Sequence, residues 1–203
     1  MVVASIYGFK LRPKAFYDWV RPLAATVRQA EPNPAHISLA RMEAAGYLSA
    51  VITQNIDGLH TRAGSREVYE LHGEMSEATC MRCSRVYETG PFIDKLIAEG
   101  GVQRCPECGG TLKPNIVLFG EQLPASTMLA ADKAARSCDV MLVAGSSLQV
   151  TPAAGLPRVA LSNGARLIVV NNEVTYVDAQ ADAVMRDDVA VVLPHLAAEL
   201  GVA

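Results

Sequence analysis

Along the early part of the chain, Phe16, Trp19 and Val20, then Leu23 and Val27, recur at three- and four-residue spacing, the period of a helix with one buried face. The segment EPNP at residues 31–34 interrupts that period, and a second helix is expected from Pro34 to about Ala45. Gly46 stops it, in the place where a left-handed cap favours glycine. The pattern then shifts to a short apolar, β-branched run through Leu48, Ala50, Val51 and Ile52, typical of a strand covered on both faces and ending at residues 53–57.

Residues 79–112 change character, becoming polar and turn-rich with two cysteine pairs; they read as an insertion with its own small fold. Beyond them strands are expected at 116–119, 139–143 and 166–170, separated by helices at 126–138 and within 152–163. Residues 189–192 read as a last strand and 194–200 as a closing helix. Strands alternating with helices imply an α/β fold whose parallel sheet is covered by helices.

Composition narrows the classes of partner. The 203 residues are 50% hydrophobic with a formal net charge of -3 and no run of Lys or Arg, which argues against a direct nucleic-acid partner. Apolar stretches such as 140–144 and 167–170 fall far short of the roughly 20 residues that cross a bilayer. The first residues hold no apolar segment suited to a signal peptide, so a cytoplasmic setting is expected.

Cys80, Cys83, Cys105 and Cys108 form two C-x2-C pairs separated by twenty-one residues. Each pair makes a knuckle that aims two sulfurs at one point, and two knuckles complete the tetrahedron that Zn2+ takes from four thiolates. With every position filled by Cys, the metal is structural, and its binding acts as folding free energy for a small segment. The fifth cysteine, Cys138, lies beside an apolar strand and reads as core.

Three polar segments directly follow apolar strands, where ligands collect in open α/β sheets. Gln54, Asn55 and Asp57 suit a carboxamide or ribose, or equally a turn capping the next element. Gly145, Ser146 and Ser147 let a phosphate approach near a helix start, or form a plain cap. Asn171, Asn172 and Glu173 offer an acidic acceptor for a ribose diol, or a solvated turn. Among the histidines, His72 in YELHGE stands out, as a general base or as a hydrogen-bonded structural residue. His36 reads as a helix-start residue, while His60 and His195 read as helix residues.

Taken together, AEPNPAHISLARME, ITQNIDGLHTRAGS, YELHGE, the two cysteine pairs, LKPNIVLFGEQLP, LVAGSSLQVTPAAGLP and VVNNE resemble the sirtuin family of NAD-dependent protein-lysine deacylases in order and spacing. The resemblance runs from about Ala30 to the C-terminus. It implies a doubly wound, Rossmann-like NAD-binding domain, in parts at 47–78 and 115–203, with a smaller module of helices (1–46) and a zinc ribbon (79–114). It also implies removal of an acyl group, acetyl by default, from lysine in a protein or peptide. The acyl oxygen attacks the ribose of NAD, nicotinamide leaves, and the product is O-acyl-ADP-ribose.

By the same resemblance His72 is the catalytic base, and Gln54 and Asn55 orient the ribose, Asn55 also serving catalysis. Ile56 and Asp57 frame the carboxamide. Gly145, Ser146 and Ser147 meet the phosphates and the adenine-side ribose. Asn171, Asn172 and Glu173 hold the adenosine, with Val189 touching it. Val117, Leu118, Phe119, Gly120 and Glu121 grip the acylated peptide by β-augmentation.

Sirtuins open with a strand leading to a GAG loop and then an Asp-Phe-Arg loop, and neither precedes the first match here. The expectation is a chain lacking a central strand and some backbone donors for the pyrophosphate, with sheet edges left open to association, as from a start inside a longer gene. Such a chain leaves open a non-catalytic acyl-peptide-binding module, or an ADP-ribosyltransferase. Tyr7 and Arg12 do not reproduce the Tyr and Arg pair that selects acidic acyl groups.

Overall fold

The computed structural model describes residues 3–202; Met1, Val2 and Ala203, at the ends of the expected segments 1–46 and 115–203, lie outside the described residues. In chain order the elements are α1 (Ile6–Leu11), α2 (Pro13–Gln29), α3 (Pro34–Ala44), β1 (Val51–Thr53), α4 (Leu59–Ala63) and β2 (Val68–Glu70). Then follow β3 (Gly73–Cys80), β4 (Val86–Glu88), α5 (Gly90–Glu99), β5 (Leu112–Ile116) and α6 (Ala125–Ser137). The chain closes with β6 (Val140–Ala144), α7 (Leu156–Ser162), β7 (Arg166–Val170), β8 (Ala183–Met185) and α8 (Val189–Glu199). Two compact units result.

One unit comprises the residues up to Glu31, Asn55–Gly58 and His72–Pro124. Pro13 starts α2, where its missing N–H costs nothing, and the helix buries Phe16, Tyr17, Val20 and Ala24 against Phe9, Met75, Leu96 and Ile116. The inward residue beside Phe16 is Tyr17, 2% exposed, rather than Trp19, 41% exposed. The Tyr17 hydroxyl explains the choice: it reaches the Leu112 carbonyl at 2.5 Å, satisfying the polar tip that burial would strand. Arg21 ties α2 to α5, donating to the carbonyls of Ile97 and Ala98 at its end, groups that a helix leaves without internal partners.

In the same unit β3 pairs antiparallel with both β4 and β5, in the order β4-β3-β5. Leu112, Pro114 and Ile116 face inward along β5, so the strand ends where the sequence pattern predicted one to begin. Pro114 conceals it, because proline usually argues against a strand. Beyond β5 the chain runs alongside residues 4–6: Ile6 N–H donates to the Phe119 carbonyl at 3.0 Å, and Phe119 N–H to the Ala4 carbonyl at 3.0 Å.

The other unit comprises Pro32–Gln54, Leu59–Leu71 and the residues from Ala125 onward. Its parallel strands form two sheets among the described residues, β1-β2 and β6-β7-β8. Strand β6 is packed on both faces, with Val140 at its start 47% exposed. Met141 and Val143 pack with Leu167, Val169 and Leu161 of α7, whereas Leu142 and Ala144 pack with Leu39 of α3 and Leu193 of α8. Side chains alternate along a strand, so helices cover both faces and the unit is doubly wound. Burying a side chain such as Leu167 contributes about 2 kcal/mol.

Residues 189–192 form the first turn of α8 rather than a strand. The β-branched run suggested a strand, but the Asp188 side chain accepts from Ala190 N–H, a helix N-cap that costs about 1 kcal/mol to lose. Leu193 and Ala197 then pack on α3. Among the described residues no helix is long and apolar enough to cross a membrane.

Candidate active site and metal centre

In the first unit three expected segments meet through the backbone. The Ile56 carbonyl accepts from Met75 N–H at 3.2 Å, and the His72 carbonyl accepts from Val117 N–H at 2.8 Å. Gly73 pairs with Ile116 at the start of β3. Asn55, Ile56, Asp57, His72 and the segment Val117–Glu121 are therefore brought together, while Gln54 belongs to the other unit at the end of β1. His72 itself is half-buried.

Gly73 makes this approach possible. It has φ +69, and a Cβ there would overlap the Asn115 carbonyl. Both the left-handed backbone and the close approach need glycine.

The segment 117–121 is fastened from within. Glu121 Oε2 accepts from Leu118 N–H at 2.9 Å and from Lys113 Nζ at 2.9 Å, and Lys113 also donates to the Ile116 carbonyl at 2.8 Å. The carboxylate of Glu121 thus faces its own loop. Phe119, 66% exposed, presents its ring to solvent. Lys113 was not singled out in the sequence, because only the turn brings it to Glu121.

In the second unit the expected residues gather at the carboxyl ends of β6, β7 and β8. Gly145 N–H donates to the Val170 carbonyl at 2.9 Å, and Asn171 N–H to the Met185 carbonyl at 3.1 Å. A Cβ on Gly145 would stand 3.7 Å from Val189 Cγ1, which brings Val189 to the same place. The Ser146 hydroxyl accepts from Leu148 N–H at 3.3 Å, and Leu148 holds φ +52, a conformation that non-glycine residues adopt at a cost.

Asn171 is buried and donates through Nδ2 to the Glu173 carbonyl at 2.9 Å, while Asn172 and Glu173 are exposed. Arg186, unremarked in the sequence, holds this turn by donating to the Asn171 carbonyl at 3.0 Å and pairing with Asp178. Glycine, hydroxyls and amides at three parallel strand ends suit a nucleotide's phosphates and sugars.

The four cysteines converge. Their sulfurs all lie within 4.8 Å of one another, with Cys80 and Cys108 at 3.5 Å and Cys83 and Cys105 at 3.7 Å. A tetrahedron with zinc–sulfur bonds of about 2.3 Å has edges of about 3.8 Å, so the donor set fits one zinc ion closed to further ligands. Burial pushes the Cys105 thiol up, but the Tyr87 hydroxyl and the N–H groups of Cys108 and Glu107 outweigh it and bring it down to about 6. Cys80 is also lowered, first by the Cys83 N–H. Cys108 moves the other way, up to about 12: the Gly110 N–H lowers it, but burial and the Cys80, Cys83 and Cys105 sulfurs outweigh that, so these thiols titrate together.

Fold and site together define a Rossmann-like α/β protein with polar strand ends suited to a nucleotide and a second, zinc-ribbon module built on four thiolates. The chain belongs to the Sir2 family, whose model matches residues 2–152. It is 45% identical over 199 residues to "NAD-dependent protein deacylase 2" of Archaeoglobus fulgidus, covering 98% of this chain and 78% of that protein. It is 43% identical over 192 residues to "NAD-dependent protein deacetylase" of Sulfurisphaera tokodaii, covering 95% and 76%. Among solved structures, "Structure of Sir2Tm bound to a propionylated peptide" superposes with a TM-score of 0.92 at 39% identity, covering 99% of this chain and 84% of that one. "Sir2-p53 peptide-NAD+" gives 0.90 at 39% identity, covering 99% and 83%.

Proposed function

We propose that this chain is an NAD-dependent protein-lysine deacylase, with acetyl-lysine in proteins or peptides as its substrate. The observation that carries the reading is the bond between the Val117 N–H and the His72 carbonyl, which sets His72, a half-buried residue, next to the segment expected to grip the peptide. The kinship with a deacylase and a deacetylase at 45% and 43% identity supports it.

Bound NAD supplies the electrophile, an anomeric carbon that becomes reactive toward the acyl oxygen as nicotinamide leaves. His72 would take the proton of a ribose hydroxyl as general base. Gln54 and Asn55 would orient that ribose, with Ile56 and Asp57 framing the carboxamide. Gly145, Ser146 and Ser147 would hold phosphates and the adenine-side ribose. Asn171, Asn172 and Glu173 would hold the adenosine, and Val189 would contact it through its backbone. The backbone of Val117–Glu121, with Leu118 anchored in the core, would add an acylated peptide as a further strand. The zinc would serve the fold of its module and take no part in the chemistry. The thiolate cluster suits a reducing, cytoplasmic setting.

Incubation of the zinc-loaded chain with NAD and an acetyl-lysine peptide, followed by mass spectrometry, tests the reading. Nicotinamide and O-acetyl-ADP-ribose are expected together, and both should vanish in His72→Ala. Nicotinamide without the acetylated product would instead indicate ADP-ribosyl transfer or NAD hydrolysis.

A further inference from the structure

Strand β4 alternates as a strand with one face turned in. Val86 and Glu88 are exposed, and Tyr87 between them is half-buried, opposite Ala78 in the register of β3. The Tyr87 ring packs edge-on against Phe92, with centroids 5.8 Å apart, beside the cluster that holds Cys80, Cys105 and Leu112. Its hydroxyl then stands 3.1 Å from Cys105 Sγ.

We propose that Tyr87 is a positioning residue of the metal centre, whose hydroxyl donates to the Cys105 thiolate and sets how firmly the four cysteines hold zinc. A metal-bound thiolate carries no proton, so the hydrogen in this contact comes from the phenol. Four thiolates around a dication leave two net negative charges in a partly dry pocket, and each donated hydrogen bond draws charge from a sulfur. Backbone N–H groups do the same at longer range, from Arg82 to Cys80 at 3.4 Å and from Gly110 to Cys108 at 3.4 Å. Those donors come with the knuckle turns whatever the side chains. The hydroxyl of Tyr87 is closer to its sulfur, and one substitution removes it.

Tyr87→Phe in the full chain deletes the hydroxyl and keeps the ring on Phe92. Zinc release to a colorimetric chelator is expected to be roughly tenfold faster than in the parent, from the loss of one hydrogen bond to a charged group. With cobalt in place of zinc, the thiolate-to-metal charge-transfer absorption should shift, because Cys105 loses a donor. Glu88→Gln, on the exposed face of the same strand, should change neither. Unchanged release in Tyr87→Phe would overturn the proposal, and so would faster release with an unmoved cobalt band, which would assign the effect to packing. One zinc per parent chain, measured by atomic emission, separately checks that the centre binds zinc.

Discussion

Lys113 and Glu121, eight positions apart, meet at 2.9 Å with side chains 12% and 25% exposed, and the carboxylate they share with Leu118 N–H closes the loop between them. The segment that would receive a peptide is therefore set before any peptide arrives. A receptor edge fixed in advance loses less conformational freedom on binding.

Replacing Lys113 by Met should loosen that edge. Removing one partner leaves the Glu121 carboxylate half-buried without its cation, a cost of about 1–3 kcal/mol. The KM for an acetyl-lysine peptide should rise roughly tenfold, with a smaller change in kcat, since the loss falls on binding. Steady-state kinetics over a range of peptide concentrations would show it; an unchanged KM would separate the clasp from peptide binding.

His72→Ala should lower turnover by about two to four orders of magnitude, the usual contribution of a general base. The architecture uses the carbonyl of this residue to bind Val117, so the main-chain link survives the change. Retained affinity for acetyl peptide, measured by calorimetry, together with lost turnover would place the imidazole in the chemistry; parallel loss of both would make it structural.

Gly73→Ala should be severe. The backbone stands at φ +69 and the new methyl group would meet the Asn115 carbonyl, so strain and overlap add to roughly 3 kcal/mol or more. A fall in melting temperature of several degrees is expected, with activity lost alongside because His72 precedes the glycine. A variant as stable as the parent would show that β3 and β5 can separate at this point.

The parallel unit should weaken in acid. Asp182 is held below its ordinary value of 3.8, first by the Leu167 N–H and then by Arg166. Asp178 is lowered as well, by the Thr175 hydroxyl and then by the Thr175 N–H and Arg186. A carboxylate lowered on folding stabilises the native state above the unfolded value and loses that contribution as pH falls through the folded one. Circular dichroism on a titration downward from pH 5 should therefore show stability declining below about pH 4. Asp182→Asn should flatten the decline, because it has no proton to gain.

Much of this was legible in the sequence, for uneven reasons. The four cysteines were fully readable, since their spacing states the geometry that a tetrahedral metal needs. Strand β7 was read to the residue because Leu167, Ile168, Val169 and Val170 form an unbroken apolar run between polar ends. The start of α8 was misread because Val189, Val191 and Val192 speak for a strand, and only packing on α3 overrules them. Strand β8 went unseen because its three residues are half-open and gain order from pairing with β7. The bond of Tyr87 to Cys105 and the pairing of Lys113 with Glu121 were beyond reach. Both depend on where turns return the chain, which no local period encodes.

The double cover of β6 carries a further consequence. In a strand with one wet face, sliding by a single residue turns its apolar set outward, and that penalty polices alignment. Met141, Leu142, Val143 and Ala144 are apolar on both faces, so a slip would exchange one apolar set for another and the core opposes it only weakly. Alignment must be written at the margins, where Arg166 N–H meets the Asp139 carbonyl and Gly145 N–H meets the Val170 carbonyl, and where the Asp182 carboxylate takes the Leu167 N–H. These few polar ends are the punctuation of an otherwise unpunctuated sheet, and one of them, Gly145, lies at the carboxyl end with the groups proposed for a nucleotide.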